Sequence, residues 1–116
     1  MNKVIIILPL QELSMTKYVW TAKHTFKSEN NLKKHLKRDE KNFLKILDKL
    51  KKAGMMGAHR GVINNKKNKF SHIGFLLFKN KKSYKKSMQI IKNAEWDKKI
   101  PKRNRYETFL IDKEIK

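Results

Sequence analysis

The sequence has no cysteine, two prolines and four glycines among its 116 residues. Without cysteine there is no disulfide, no thiolate metal site and no cysteine nucleophile, which fits a reducing, intracellular setting. The glycines are scattered, so no glycine-rich phosphate-binding loop is present. The apolar run from Val4 to Leu10 is too short to span a bilayer, and we expect no membrane contact.

Acidic residues are also scarce. Asp and Glu number 10 against 30 Lys and Arg, which gives a formal charge of +20. This much like charge destabilises a compact chain unless a polyanion neutralises it, and nucleic acid is the usual partner. Only four of the cations are arginines, and lysine suits phosphate better than base edges. The composition therefore favours contact with a nucleic-acid backbone over sequence readout.

The remaining composition is that of a folded domain. Hydrophobic residues make up 39% of the chain, including six Phe, three Tyr and two Trp, which excludes a disordered tail. The length fits one core, so residues 1–116 are predicted to form a single domain. Abundant Lys, Asn and Ile suggest an AT-rich genome, as in an organelle or an AT-rich microbe.

Five stretches have the pattern of strands. Val4–Leu8 predicts a short edge strand that ends at Pro9. Residues 17–26 alternate, so that Tyr18, Trp20, Ala22, His24 and Phe26 share one face. Residues 55–63 predict a weaker strand, and residues 106–111 predict the last one. Residues 69–79 are apolar on both faces, which indicates a central strand covered on both sides or a dimer contact.

Two stretches have helical spacing. Ser28 or Asn30 is a candidate cap for the first helix, Asp39 is predicted to start a new helix, and Gly54 to end it. Ser83 is predicted to cap the last helix, and Pro101 to stop it. Helices alternating with strands around one hairpin predict an α+β fold of the ferredoxin-like, split βαβ type (βαββαβ), with an extra N-terminal strand.

The basic residues form three clusters. They lie at the 64–69 hairpin, around the start of the last helix, and in a loop predicted over residues 98–105. Lysines near a helix N-terminus add to its attraction for phosphate. The candidate nucleic-acid-binding residues are Arg60, Lys66, Lys67, Lys69, Lys79, Lys81, Lys82, Lys85, Lys86, Lys98, Lys99, Lys102, Arg103 and Arg105.

Other chemistry has little support in the sequence. Four aromatic residues on strands could stack on bases, but core packing is the better interpretation of Tyr18, Trp20, Phe75 and Phe78. The four histidines show no metal-ligand spacing, since His72 is followed two places later by Gly74. We therefore expect no metal, no cofactor and no catalytic residue.

The middle of the chain resembles a ribosomal family, the tenth protein of the small subunit. The matching segments are Lys52-Ala53-Gly54, Arg60-Gly61-Val62-Ile63, the basic hairpin at 64–69, the strand Phe70–Phe78, and Lys81-Lys82-Ser83. The family's proline after Arg-Gly and its later Thr-His-Lys-Arg strand are missing. The resemblance implies a ferredoxin-like fold and contact with rRNA.

The second half also resembles the replication-initiator endonucleases of small circular DNAs. Their motifs are similar to Val19-Trp20-Thr21, His72-Ile73-Gly74-Phe75 and Ala94-Glu95-Trp96, and Tyr106 falls near the expected nucleophile. A Gln metal ligand of that family is replaced by Gly74, and an expected Lys by Phe109. The resemblance therefore implies binding to single-stranded DNA with metal-dependent nicking lost.

The sequence is best interpreted as an RNA-binding structural protein rather than an enzyme. We expect a ribosomal protein, cytoplasmic or mitochondrial, whose lysines neutralise rRNA phosphates while its sheet packs on itself or on neighbouring ribosomal proteins. One alternative is the replication-initiator-like domain with a degenerate metal site and DNA as partner. Another is a dimeric α/β-barrel module with a small-molecule pocket, which the apolar strand at 70–78 allows but which does not explain the charge.

Overall fold

The computed structural model describes residues 17–63, 66–67, 69–96, 98–113 and 115. The six elements of these residues are β1 (Tyr18–Thr25), α1 (Glu29–Ala53), β2 (Met55–Val62), β3 (Ser71–Phe78), α2 (Lys81–Asn93) and β4 (Arg103–Leu110). The strand predicted at Val4–Leu8 lies outside the described residues. The predicted βαββαβ order is confirmed.

The four strands form one antiparallel sheet in the order β2-β3-β1-β4. β3 has a neighbour on each side, so its prediction as a central strand is confirmed. In its register with β1, Tyr18 lies opposite Phe78 and His24 lies opposite His72. Because strand side chains alternate, these residues share the face of the sheet that the helices cover.

The main core lies between that face and the two helices. Leu50 of α1 and Phe78 of β3 are fully buried, and they pack with Tyr18, Ile46 and Leu76. A smaller apolar cluster, built on Phe26, Leu32 and Ile100, lies under the start of α1. The middle of α1 lies between these two clusters.

The helix break predicted at Asp39 is wrong, because α1 is one helix of 25 residues. The helix continues through residues 37–42. These residues carry no apolar side chain because this segment does not cover the core. Its polar contacts are to β2 instead. Arg60 donates to the carbonyl of Leu36 at 3.0 Å and lies 3.8 Å from the Glu40 carboxylate.

The ends of the helices were predicted in part. Ser28 is the N-cap of α1, with its hydroxyl accepting from the amide of Asn31, which confirms one of two candidates. Asn80, not Ser83, caps α2, because its side-chain oxygen accepts from the amide of Ser83 at 2.9 Å. An Asn side chain is as good an N-cap as Ser, and it stands three residues earlier.

α2 ends at Asn93 rather than running to Pro101. Ala94 adopts an extended conformation, and the Trp96 indole donates to the carbonyl of Ile91 at 2.7 Å. This bond gives a second donor to a carbonyl that already accepts from the backbone amide of Ala94 at 3.2 Å. β4 begins at Arg103, so part of the predicted 98–105 loop is strand.

Gly54 is expected to be the most sensitive glycine. It ends α1 with φ of +111°, and a β-carbon there would overlap the side chain of Ser83. We expect Gly54→Ala to lower the free energy of unfolding by about 2–4 kcal/mol, measured by urea denaturation. Gly61→Ala is the matched control, because nothing lies within 4 Å of the added carbon. Equal losses in the two variants would contradict the expectation.

Candidate functional site

A cleft of about 1270 Å³ lies between the helix-covered face of the sheet and the two helices. Its floor contains Ala22, Ala58 and Gly74, whose small side chains leave space that larger residues would fill. Ala22 and Gly74 lie opposite each other in the β1–β3 register. The cleft therefore follows from small residues in the middle of a sheet that is apolar elsewhere.

Three histidines from three elements lie close together here, and two of them, His24 and His35, line the cleft. We call it the histidine cleft. His24 of β1 and His72 of β3 are cross-strand partners with ring centroids 5.0 Å apart. His35 of α1 lies 5.2 Å from the ring of His24 and 4.9 Å from that of His72. One nitrogen of each ring lies within 4.8 Å of the other two. We call these residues the histidine cluster.

Asn104 of β4 orients His24. The Nδ1 atom of His24 forms a hydrogen bond with the side-chain oxygen of Asn104, its partner in the β1–β4 register. An amide oxygen only accepts, so Nδ1 carries the proton and Nε2 keeps a free lone pair. Burial lowers the pKa of His24, although the bond to Asn104 opposes this shift. The ring is therefore neutral at physiological pH.

His72 and His35 are the buried members of the cluster, with 3% and 4% of their surface exposed. Neither ring nitrogen of His72 has a hydrogen-bond partner in the described part of the chain. Burial, and then the nearby charges of His24 and His35, lower the pKa of His72 to about 3. His35 Nε2 lies 4.0 Å from the Asp39 carboxylate, whose own pKa burial raises.

Aromatic side chains line the cleft beside the cluster. Tyr106 stacks on Trp20 with ring centroids 5.6 Å apart, and its ring lies 6.0 Å from that of His24. Burial raises the pKa of Tyr106, so its hydroxyl is protonated at neutral pH. A small ligand in this cleft would meet imidazoles, a phenol, apolar walls and charged side chains of both signs, such as Asp39 and Arg60.

A second, shallower groove of about 1070 Å³ runs between the end of α1 and α2. Its charged lining residues are all lysines, and we call it the lysine groove: Lys52, Lys81, Lys82, Lys85 and Lys86. No carboxylate is among its lining residues, which otherwise are amides and apolar side chains. Four of its lysines were candidates from the sequence, and Lys52 was not.

The other candidate cations lie elsewhere. Lys66, Lys67 and Lys69 are exposed at the β2–β3 connection, beyond the opposite end of β3 from Lys79. An eight-residue strand separates these two groups by about 26 Å. Of the candidate cations, Arg60, Lys98 and Lys102 line the histidine cleft, as does Lys92, which was not a candidate. Arg103 and Arg105 lie on β4, where Arg105 pairs with Glu107 at 3.0 Å, and Lys99 precedes that strand.

The face of the sheet away from the two helices carries an apolar patch, with polar side chains such as Lys23 and Glu107 beside it. Because strand side chains alternate, Ile73, Phe75 and Leu77 of β3 lie on this face. Val19 of β1 lies opposite Leu77, and Phe109 of β4 lies opposite Val19. Phe75 is 40% exposed and stacks on His59, with ring centroids 4.9 Å apart, and Phe109 is 52% exposed. We call this surface the open face.

The four aromatic residues considered for base stacking divide between the two faces. Tyr18 and Phe78 are core residues, and Trp20 packs against the core. Only Phe75 among the four is on the open face. The histidine cluster was not predicted from the sequence, because its three residues lie far apart in the chain. The available signal was the alternation of the two strands, which places His24 and His72 on apolar faces.

Comparisons with known proteins identify the fold. No protein-family model and no curated protein matches the sequence. Two solved structures, both described as dimeric ferredoxin-like proteins from uncultured marine organisms, are similar to it. One is 20% identical with a TM-score of 0.74, covering 86% of this chain and 98% of the other. The second is 13% identical with a TM-score of 0.77, covering 86% of this chain and 99% of the other.

The fold is ferredoxin-like. The sequence-based prediction of the fold class is thereby confirmed. Neither description names a catalytic function. Among the described residues, no helix has the length and apolar character needed to cross a membrane.

Proposed function

We propose that the protein is a non-catalytic RNA-binding protein whose helix-side surface, centred on the lysine groove, holds the phosphate backbone. The observation that carries this proposal is the groove itself, in which five lysines converge without a carboxylate. At a formal charge of +20, a polyanion relieves repulsion that the few acidic residues leave uncompensated. The amides at the start of α2 add partial positive charge at the same place.

Ribosomal RNA is the partner that we propose, as an extension of the resemblance to the small-subunit family. Lysine side chains contact phosphates without reading bases, which suits a structural role on a folded RNA. The exposed lysines of the β2–β3 connection lie beyond the other end of β3 from the groove, and Lys98 and Lys102 line the histidine cleft instead. They would contact separate phosphate runs of one large RNA, not a single short strand.

The open face gives the proposed RNA-binding protein a second interface, in this case with another protein chain. Apolar patches of this kind are typical of protein interfaces, and both solved neighbours are described as dimeric. We propose that a second copy covers the open face, so that the two sheets pack together. Both helix layers, with their lysine grooves, then point outward toward RNA.

The test is direct binding of rRNA fragments to the purified, nuclease-treated protein, measured by fluorescence anisotropy. Binding at about 50 mM salt, with affinity that falls steeply and linearly on a log–log plot as salt rises, is the expected result. A neutral polymer of similar size should not bind. Failure to bind rRNA at that salt concentration would overturn the proposal.

The histidine cleft favours a second candidate function, a dimeric module that binds a small molecule. Its volume of about 1270 Å³ is larger than a drug-sized ligand needs, and its apolar walls with convergent polar groups are typical of small-molecule sites. This candidate does not use the lysine groove. A ligand that co-purifies with the dimer after all nucleic acid has been removed would favour it over RNA binding.

The replication-initiator alternative retains one point of support, the position of Tyr106 at the cleft beside His24. A nicking assay on single-stranded DNA with Mn²⁺ tests this alternative. A tyrosine-linked product that disappears in Tyr106→Phe would replace the RNA proposal with a nuclease.

A further inference from the structure

The histidine cluster has the composition of a metal centre and a geometry close to one. Three imidazole nitrogens that lie within 4.8 Å of one another come from β1, α1 and β3. A tetrahedral ion with bonds of 2.0–2.1 Å needs nitrogens about 3.4 Å apart. Small rotations of the side chains would bring the three nitrogens to that separation. We propose that His24, His35 and His72 bind one divalent transition-metal ion, with Zn²⁺ as the best fit.

His72 gives independent support for this assignment. Only 3% of its surface is exposed to solvent, and neither of its ring nitrogens has a hydrogen-bond partner among the residues described. A buried polar group without a partner destabilises the folded state, so such groups in native proteins usually have a ligand, an ion or a water. A metal ion at the centre of the cluster would satisfy one of these nitrogens, since the rings of His24 and His35 lie 5.0 Å and 4.9 Å from that of His72.

The surroundings supply the outer contacts that metal-binding histidines need. Asn104 accepts from Nδ1 of His24, which leaves Nε2 for the ion, and Asp39 lies next to His35. Carboxylate and amide partners of this kind orient the imidazoles of metal centres. Burial keeps His24 and His72 unprotonated near neutral pH, so a proton does not compete with the ion there.

The charges nearby select among metals. Burial is the main cause of the lowered pKa of His72, and the charges of Arg60 and Lys102 add to it. These two cations oppose a metal ion at the cluster, whereas Asp39 favours one. Mg²⁺ and Ca²⁺ bind through charge and oxygen ligands, so this site excludes them. Zn²⁺, Co²⁺, Ni²⁺ and Cu²⁺ form strong bonds to neutral imidazole and tolerate the opposing charge.

The ligand set differs from that implied by the replication-initiator resemblance. That resemblance would place a second ligand two residues after His72, where this chain has Gly74. Here His72 is joined instead by histidines of β1 and α1. Because His24 and His35 also line the cleft, three protein ligands would leave a fourth position for water or a small ligand there.

The test is a Co²⁺ titration of the chelator-treated full chain without a histidine tag or nucleic acid, followed by displacement with Zn²⁺. We expect one ion per chain, a dissociation constant in the micromolar range or below, and visible absorption of four-coordinate Co²⁺ that Zn²⁺ removes. His24→Gln should weaken binding at least about 100-fold. His59→Ala is the control, because His59 stacks on Phe75 outside the cluster.

Asn104→Ala leaves all three imidazoles in place and should weaken binding about 10-fold. It keeps the test decisive if a histidine variant does not fold. Absence of saturable binding at one ion per chain, or equal binding by wild type and His24→Gln, would overturn the proposal. Because the experiment contains no RNA, its failure would leave the proposed RNA binding untouched.

Discussion

Replacing Lys81, Lys82, Lys85 and Lys86 by glutamine is expected to weaken rRNA binding about 100-fold at about 100 mM salt. Affinity falls as salt rises, and each lost phosphate contact makes the slope of log affinity against log salt less steep by about 0.7–0.9. The four substitutions should therefore reduce the slope by about 3. All four lysines line the lysine groove, so the loss reports on that surface.

The matched control removes the same charge elsewhere on the helix layer. Lys33, Lys34, Lys37 and Lys41 lie in the first half of α1, and at 1.5 Å per residue Lys33 is about 28 Å from Lys52. Their replacement by glutamine should reduce affinity much less than the groove variant. Equal losses would mean that net charge alone drives binding, and the groove would no longer be the contact surface.

The sequence predicted most of the elements because their signals are local. Strict alternation from Tyr18 to Phe26 identified β1 and its covered face, and the apolar segment around Phe75 identified β3. Gly54 after a lysine-rich turn identified the end of α1. Each of these signals depends on neighbours in the chain, and the structure retains all of them.

The errors occurred where an element does not cover the core. Residues 37–42 of α1 lie beside the cleft and make polar contacts to Arg60, so they lack the apolar spacing that reveals a helix. β4 is an edge strand whose first residues, from Arg103, are exposed and charged. Charged residues protect a sheet edge from pairing with other chains, and the same residues conceal the strand in the sequence.

The candidate sites differ in how far the sequence reveals them. Lysines that follow one another on a helix are visible in the sequence, so most of the lysine groove could be predicted. The histidine cluster requires the β1–β3 register and the position of α1 over it, neither of which a local pattern contains. Convergence of distant residues is a property of topology.

Topology also explains why neither helix covers the open face. α1 and α2 both cover the same side of the sheet, as connections in this fold require, so the other side has no cover from the described residues. Phe75 and Phe109 are half exposed there, while Val19 between them is buried. Natural proteins rarely leave such a surface in contact with water, which motivates the proposed dimer.

The wild-type protein is accordingly expected to sediment as a dimer in the absence of nucleic acid, and Phe75→Glu to sediment as a monomer. The substitution would place two carboxylates between the packed sheets, where desolvation and mutual repulsion oppose association. We expect the dimer dissociation constant to rise at least about 100-fold, or about 2.7 kcal/mol. Sedimentation velocity over a range of protein concentrations measures this change.

Leu44→Glu is the control for the added charge. Leu44 is 61% exposed on α1, on the helix side of the sheet, so the same carboxylate there should leave the dimer intact. Phe75 is 40% exposed within one chain, so its replacement should leave the monomer folded, as far-ultraviolet circular dichroism would show. A monomeric wild type, or a Phe75→Glu variant that remains dimeric, would mean that the open face does not join two copies of this chain.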